Sequence, residues 1–388
     1  MNPAESSERR FPDYSGGGFL NLIASIAEAC GGAPRHAPLA ALAAAELRAA
    51  RNVVLLIFDG LGDRYLQANG AGGQLLRHRR AAMSAVFPST TAAAITTSFT
   101  GASPLEHGLT GWFVYLREAG CVGAPLPFQR RGDRSPLPIA AQRVFCEGSL
   151  FDSLHLPTIV VSHKDFIHST YNRHHCGRAE RRAYGDLSGF VAETEAAVRS
   201  SPERKFVYAY WPEFDTLAHK HGVASAQVRR HFDAIDAAFG ALLARLAGTD
   251  SILLATADHG FMDSPPECSI ELPAALDAML RYPLCGERRV VFCHPQEGRA
   301  AQFMARSREA FGGRAEVRES AGLVEEGWFG PGRPHPLLAE RVGEVALLMR
   351  ERWTLKDWVV GEPRHLHIGN HGGTSADEMI IPLVVAET

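Results

Sequence analysis

Five short runs of apolar residues recur along the chain, and each has the length of a β-strand. They span residues 52–58, 157–161, 205–211, 251–257 and 379–385. Runs without a polar face are typical of strands that are buried on both sides of a parallel sheet. Helical stretches lie between them, notably at 192–199 and 224–247. This alternation predicts an α/β fold with a doubly wound, mostly parallel sheet.

Two regions interrupt the alternation. Residues 121–138 are rich in Pro, Gly and Arg, which predicts a loop. Its arginines, Arg130, Arg131 and Arg134, either turn toward an anionic substrate or are solvated at the surface. Residues 265–363 combine helices with strand-like pieces and contain no cluster of ligand-like residues. We interpret this second region as an inserted α+β cap subdomain.

The predicted organisation therefore has three parts. Residues 1–50 form an N-terminal helical extension, with helices near 20–29 and 39–49. Residues 51–264 and 364–388 form the α/β core that carries the candidate chemistry, and residues 265–363 form the smaller cap. A length of 388 residues agrees with one large domain that carries an insertion.

The composition is that of a globular protein with a sizeable core, 46% hydrophobic and 21% charged. A formal net charge of −3 gives no indication of a nucleic-acid polymer or a membrane as partner, and it leaves a homodimer open. No long apolar segment follows residues 1–17, so we expect no signal peptide, no membrane span and a cytoplasmic location. The seven cysteines are scattered without a CxxC pair, which favours reduced structural thiols.

A cluster of hydroxyl residues lies in the stretch 85–112. Pro88 and Ser89 precede Thr90 and Thr91, and a run of helix formers follows. The pattern predicts an extended arrival and then a helix, so that a hydroxyl stands at the helix N-terminus. Free N–H groups and the helix dipole favour negative charge at such a position. The alternative is that Ser89 or Thr90 only caps the helix.

Acidic and imidazole side chains follow three of the predicted strands. The carboxyl ends of parallel strands meet at one edge of a sheet, where ligands bind. Nitrogen and oxygen ligands of this kind suit zinc or manganese, and two neighbouring ions can act together on a phosphorus centre. The six residues are Asp59, Asp215, His219, Asp258, His259 and, before the last strand, His371.

Five motifs together resemble the alkaline phosphatase superfamily, and in particular its type I phosphodiesterase/nucleotide pyrophosphatase branch. They are VVLLIFDGLG, FPSTTAAAITT with TGASPLEHGLTGW, EFDTLAH, ATADHG and GNHGGTSADEMIIPLVV. They cover residues 52–112, 205–263 and 369–388 in the order typical of the family. The resemblance implies an alkaline-phosphatase-like core and two divalent metal ions, with zinc as the first expectation and manganese as the alternative.

The resemblance also implies roles for individual residues. Asp59, Asp258 and His259 would hold one ion, and Asp215, His219 and His371 would hold the other. Thr91 aligns with the nucleophile of the family, and Thr90 is the alternative. The implied reaction is hydrolysis of a phosphodiester or phosphonate bond, nucleotide-type bonds included, in a small molecule through a phosphothreonine intermediate. Alternatives are a phosphomonoesterase, a phosphoglycerate-mutase-like phosphotransferase, or a non-catalytic member that binds an anion or acts as a scaffold.

The chain departs from the nucleotide pyrophosphatases directly after the nucleophile. They have Phe-Pro-Asn, whose Asn donates to a phosphoryl oxygen, whereas this chain has three alanines at 92–94. Loss of such a donor typically lowers the rate about 10²–10³-fold, so a substitute is expected. The candidates are Lys164, Trp112 and the arginines of the 121–138 loop. A histidine-rich patch at His163, His168, His174 and His175 is interpreted as part of a polar loop rather than as a further metal site.

Overall fold

A seven-stranded sheet carries the structure, a computed structural model that describes residues 9–388. The strands are β1 Asn52–Phe58, β2 Arg79–Ser84, β3 Val114–Leu116, β4 Cys121–Ala124, β5 Gln129–Arg130, β6 Thr158–His163, β7 Glu180–Tyr184, β8 Lys205–Trp211, β9 Ser251–Thr256, β10 Met262–Asp263, β11 Ser269–Glu271, β12 Cys285–Gly286, β13 Val290–Cys293, β14 Ala315–Glu319, β15 Val345–Met349, β16 Thr354–Lys356, β17 Gly369–Asn370 and β18 Ile380–Glu387.

The α-helices are α1 Phe19–Ala29, α2 Ala44–Ala49, α3 Asp63–Asn69, α4 Gln74–Arg77, α5 Thr91–Thr100, α6 Pro104–His107, α7 Leu150–Ser153, α8 Thr170–His175, α9 Leu187–Arg199, α10 Glu213–His221, α11 Ala226–Arg245, α12 Ala274–Asp277, α13 Ala300–Phe311, α14 Ser320–Glu325, α15 Leu338–Val342 and α16 Ala376–Met379. Among residues 9–388, none of the helices combines the length and the apolar character that crossing a membrane requires.

The order of the large sheet is β2-β18-β9-β1-β8-β6-β7. The five strands β9, β1, β8, β6 and β7 run parallel to one another, whereas β18 is antiparallel to both β9 and β2. All seven residues of β1 are buried, as the apolar run predicted. The predicted fold class, an α/β protein with a mostly parallel sheet and an alkaline-phosphatase-like core, is confirmed.

Two predictions about local structure are wrong. The helix predicted over 39–49 begins only at Ala44. Ser25 explains the late start, because its hydroxyl accepts from the N–H of Leu39 and donates to the carbonyl of Leu42, which holds that segment in a turn. The predicted loop at 121–138 contains β4 and β5, which form a three-stranded antiparallel sheet with β3.

The predicted cap region contains a four-stranded antiparallel sheet of order β12-β13-β15-β14. It has a hydrophobic cluster of its own, in which Phe303 and Phe311 of α13 pack with Val345 and Leu347 of β15. Helix α1, by contrast, shares the main hydrophobic core with β1. The division at residues 50, 264 and 363 stays a prediction, and residues 1–8 of the predicted extension lie outside the described residues.

A buried ion pair joins the cap to the last segment of the core. The guanidinium of Arg289 donates from Nε and Nη2 to the two carboxylate oxygens of Glu378, both at 3.1 Å. Glu378 also accepts from the backbone N–H of Gly373 and from the Ser375 hydroxyl. Arg289 and Glu378 are 1% and 0% exposed, so neither charge is stabilised by water.

Replacement of Arg289 by Met leaves the Glu378 carboxylate buried without its counter-charge. Loss of one partner from such a pair typically lowers the free energy of unfolding by about 3–5 kcal/mol. Arg281→Met is the control, because Arg281 pairs with Glu344 on the surface of the same cap, where an ion pair contributes about 0–1 kcal/mol. Urea denaturation measures both variants, and equal losses would contradict the role assigned to Arg289.

Candidate metal centre and active site

Three adjacent parallel strands bring three aspartates to one edge of the sheet. Asp59 directly follows β1, and Asp258 comes two residues after β9. Asp215 lies in the first turn of α10, which begins soon after β8. Since β9, β1 and β8 are neighbours in the sheet, their carboxyl ends place the three carboxylates together.

Glycines allow the backbone to fold closely around these carboxylates. Gly60 has φ +77°, a conformation that other residues rarely adopt. A Cβ on Gly260 would lie 2.0 Å from the carbonyl oxygen of Asp377. Substitution at either position would therefore displace the segments that follow Asp59 and His259.

The first predicted ligand set is brought together by the fold. The imidazole Nε2 of His259 lies 3.3 Å from Asp59 Oδ1 and 3.5 Å from Asp258 Oδ2. One ligand atom from each residue lies within 4.8 Å of the other two, and all three side chains are buried. This buried Asp/Asp/His group has the donor set of a transition-metal site.

The second predicted set is assembled in the same way. His219 Nε2 lies 3.3 Å from Asp215 Oδ1 and 3.2 Å from His371 Nε2. The ring of His371 stacks on that of His259 at a centroid distance of 3.8 Å, so the two sets are adjacent. The structure thus brings all six predicted residues together, in the two groups that the sequence predicted.

The hydrogen bonds around these residues fit metal ions. Each of the three histidines has its Nδ1 within 3.1 Å of a backbone carbonyl, which directs Nε2 as a ligand atom. Asp59 Oδ1, Asp215 Oδ1 and Asp258 Oδ2 are buried without any hydrogen-bond partner among the described residues. Buried carboxylate oxygens normally have partners, and these three lie in the two ligand sets.

The electrostatics of the site point in the same direction. Burial, and then the charges of Asp258 and Asp215, raise the pKa of Asp59 well above its usual value. Burial, and then the neighbouring His259 and His219, lower the pKa of His371 well below its usual value. The protein alone therefore disfavours the charged forms of Asp59 and His371, and divalent cations would offset the repulsion between the carboxylates.

The predicted nucleophile lies beside the first set. Helix α5 begins at Thr91, after Thr90 in an extended conformation. The Oγ1 of Thr91 lies 3.1 Å from His259 Nε2. Thr90 points elsewhere, because its hydroxyl donates to Glu287 Oε1 at 2.5 Å. The turn before the helix is tied to the second set, since the carbonyl of Ser89 accepts from His371 Nδ1 at 3.1 Å.

A cavity of 510 Å³ opens on this centre, a size typical of small-molecule sites. Thr91, Asp215, His219 and His371 line it, together with the 42% exposed Trp112. Arg130, Arg131 and Arg134 also line it, so the segment predicted as a loop does face the site.

The cap contributes side chains that sequence analysis missed. Glu287, Arg288 and Lys356 line the same cavity, although the sequence of residues 265–363 shows no cluster of ligand-like residues. Glu287 accepts from the backbone N–H of Trp112 at 2.7 Å as well as from Thr90. The turn between β12 and β13, which contains Glu287, has no motif in the sequence that indicates a site. Only the tertiary fold places it against Thr90.

Lys164 does not line this cavity. It follows β6 and lies near Gly185, where the structure gives it no contact with the candidate centre. Lys164 therefore receives no support as the substitute for the missing Asn.

Within the histidine-rich patch, His175 lies in the hydrophobic core instead of a polar loop, whereas His168 is exposed. His175 lies in α8, is 1% exposed, and packs on Tyr171 and Phe145 at centroid distances of 4.2 and 4.7 Å. Its Nδ1 lies 3.0 Å from the carbonyl of Tyr171. Among residues 9–388, the histidines of this patch take part in no group suited to a metal ion.

The fold is an α/β sheet of the alkaline-phosphatase type, and two candidate metal-ligand sets lie at one of its edges. Murine ectonucleotide pyrophosphatase/phosphodiesterase 5 superposes with a TM-score of 0.64 at 18% identity, over 85% of this chain and 87% of that one. An inactive form of the same murine protein, with AMP bound, gives the same TM-score at 17% identity, with the same coverage of 85% and 87%. Phosphonoacetate hydrolase from Sinorhizobium meliloti 1021, in complex with phosphonoformate, gives 0.59 at 18% identity, over 87% and 90%.

The family follows from the sequence itself. The model of the type I phosphodiesterase/nucleotide pyrophosphatase family matches residues 53–374. The chain belongs to this family, which confirms the resemblance found in its motifs. It is accordingly a hydrolase that acts on phosphoric ester bonds. No curated protein matches the chain at a significant level of similarity.

Metal content tests the two ligand sets without any substrate. We expect wild type to bind two equivalents of zinc or manganese and His371→Ala to lose one, because the second set then keeps only two ligands. A chelator should lower the melting temperature of wild type, since ions bound at 100 times their Kd add about 2.7 kcal/mol to stability. Plasma mass spectrometry and thermal unfolding measure these effects.

His168→Ala is the control for His371→Ala, because His168 is exposed and outside both sets. It should keep two equivalents. Wild type that stays metal-free in added zinc and manganese would contradict the assignment.

His175 predicts a pH dependence of stability. Burial, and then His174, lower the pKa of His175 to about 3, whereas an unfolded histidine titrates near about 6.5. As the pH falls, His175 takes up a proton in the unfolded chain before it does so in the folded chain. The free energy of unfolding therefore decreases as the pH falls below the pKa of the unfolded histidine. His175→Phe keeps an aromatic ring and should show a shallower loss, by at most about 1.4 kcal/mol per pH unit. Urea titrations between about pH 7 and about pH 5 measure the difference, and parallel curves would count against it.

Proposed function

We propose that the protein is a two-metal phosphoesterase that cleaves phosphodiester or phosphonate bonds of a small molecule through a phosphothreonine intermediate at Thr91. The observation that carries the proposal is the position of Thr91 Oγ1, 3.1 Å from His259 Nε2 of the first set and in the cavity that the second set also lines. Membership of the family and the fold shared with a phosphodiesterase and a phosphonate hydrolase support it.

Asp59, Asp258 and His259 would hold one ion, and Asp215, His219 and His371 the other. Ions held there would lower the pKa of a hydroxyl bound to them and offset the charge that develops on the phosphoryl oxygens. Zinc suits this mixture of imidazole and carboxylate, and manganese is the alternative.

The chain itself supplies the remaining parts of the reaction. Thr91 Oγ1 attacks phosphorus in line while its proton passes through water to the departing group, whose bond to phosphorus breaks. Water then breaks the bond between phosphorus and Thr91 Oγ1, and with a diester the phosphothreonine keeps its second ester group until that step. The backbone N–H groups of Thr91, Ala92 and Ala93 have no acceptor among the described residues. These first-turn groups are donors for phosphoryl oxygens, and they take over part of the role of the missing Asn side chain.

A Thr91→Ala variant should lose activity by about 10³-fold or more, because it removes the hydroxyl at the start of α5 that lies beside His259, whereas the Thr90 hydroxyl is bonded to Glu287. Thr91→Ser keeps a hydroxyl and should retain activity within about tenfold of wild type. The substrates are bis-p-nitrophenyl phosphate, p-nitrophenyl phosphate and a p-nitrophenyl phosphonate ester, each assayed with added zinc or manganese. The diester and the phosphonate should be cleaved faster than the monoester.

Thr90→Val tests the alternative nucleophile. This variant loses the hydrogen bond to Glu287 but should retain most of the activity that Thr91→Ala loses. The reverse pattern would assign the reaction to Thr90. If no ester is turned over with either metal, the chain is instead a binding or scaffold member of the family.

A further inference from the structure

Arg288 of the cap is a cation without an anionic partner. It follows Glu287 in the turn between β12 and β13, is partly buried, and lines the cavity that contains Thr91. Its Nη2 donates to the backbone carbonyl of His365 at 3.3 Å. Within the described part of the chain, Arg288 forms no ion pair. Burial lowers the pKa of its guanidinium to about 10, although the charges of Glu287 and Glu362 act in the opposite direction.

Lys356 is in the same situation on the neighbouring strand β16. Its Nζ lies 4.4 Å from the ring centre of Trp358, and it forms no ion pair with residues 9–388. Burial, followed by the charge of Arg288, lowers the pKa of Lys356 to about 8.

The nearby carboxylates are already occupied by a third cation. Arg131 donates to Asp357 Oδ1 at 2.6 Å and to Glu362 Oε1 at 2.8 Å. The Arg131 side chain is only 3% exposed, so this arrangement is fixed within the wall of the cavity. Because Arg131 bonds to both carboxylates, neither forms an ion pair with Arg288 or Lys356, and the three cations outnumber these two carboxylates.

Partly buried cations without a partner are costly unless a ligand supplies the anion. The ligand sets and Thr91 are suited to the scissile phosphoryl group, and they belong to the core. We propose that Arg288 and Lys356 bind a second anionic group of the substrate, a carboxylate or a phosphoryl group away from the scissile phosphorus. This inference rests on the proposed phosphoesterase function, and it narrows the substrate class to esters or phosphonates with two anionic groups.

Symmetrical diesters test the proposal, because the second anionic group is then present on both the leaving and the retained aryl group. The test therefore does not depend on which of the two lies near Arg288 and Lys356. We expect metal-loaded wild type to cleave bis(4-carboxyphenyl) phosphate with a kcat/KM about 10–100-fold above that for bis(4-carbamoylphenyl) phosphate, as charge-assisted hydrogen bonds would give. Added salt should reduce this preference. Bis(4-phosphonophenyl) phosphate distinguishes the two chemistries, because a higher rate than the carboxylate ester identifies a phosphoryl group and a lower rate a carboxylate.

Arg288→Gln and Lys356→Gln should each bring the ratio of the two rates toward one, and the second variant decides if the first does not fold. Arg306→Gln is the matched control, because Arg306 is an exposed arginine of α13 in the same cap that does not line the cavity. It should keep the preference of wild type. Equal rates on the two esters, or a ratio that both cavity variants leave unchanged, would overturn the proposal.

Binding to Thr91→Ala separates this inference from the proposed function. Calorimetry on the metal-loaded variant should give a Kd for the carboxylate ester about tenfold or more below that for the carbamoyl ester, and Arg288→Gln should remove the difference. If no ester is cleaved by wild type, the proposed function fails, and the two Kd values still decide whether the cap binds an anion.

Discussion

Three carboxylates buried together constrain the whole molecule. Asp59 and Asp258 are 3% and 0% exposed, and Asp215 lies beside them with a buried oxygen that has no hydrogen-bond partner. Like charges this close, away from water, oppose folding unless cations or protons offset them. Burial, and then the charges of Asp258 and Asp215, raise the pKa of Asp59 well above its usual value. The order β9-β1-β8 in the sheet and the close approach at Gly260 are what hold the three groups together against their repulsion.

The C-terminal segment completes this centre and ties it to the cap. His371 contributes to the second ligand set and hydrogen-bonds to the backbone of Ser89, just before Thr91. A few residues later, Glu378 binds Arg289, which directly follows Glu287 and Arg288 in the cap. This short segment therefore positions the candidate ligand His371 and the turn before Thr91. Through Arg289 it also positions Arg288 in the wall of the cavity. A buried, bidentate pair suits this task because its geometry is specific, even where its net contribution to stability is modest.

Much of the core could be predicted from the sequence because its signals are local. The observed bounds of β1 and β8 equal the predicted runs, since strands buried on both faces must be apolar throughout. The six candidate ligands follow such strands or lie among glycines, and the order of the strands brings the three aspartates together. The edge strands β2 and β7 were missed because they are partly exposed and mix charged with apolar residues. The strands β4 and β5 within 121–138 were missed because they have only two to four residues and the segment is rich in glycine and proline.

The positions of Arg288 and Lys356 beside the cavity could not have been predicted. Arg288 and Lys356 are far apart from the motifs in sequence, and many arginines and lysines on a surface look the same in one chain. Their role is inferred from their surroundings, because Arg131 already forms ion pairs with Asp357 and Glu362. The shared fold at 18% identity does not extend to such details.

The most direct test of this account is to trap the covalent intermediate. Metal-loaded protein is mixed with bis-p-nitrophenyl phosphate, quenched in acid during turnover, digested and sequenced by mass spectrometry. The account predicts a p-nitrophenylphosphoryl adduct on Thr91, in the peptide that begins α5, and none in Thr91→Ala. Turnover without an adduct on Thr91, or with the adduct on Thr90, would contradict it.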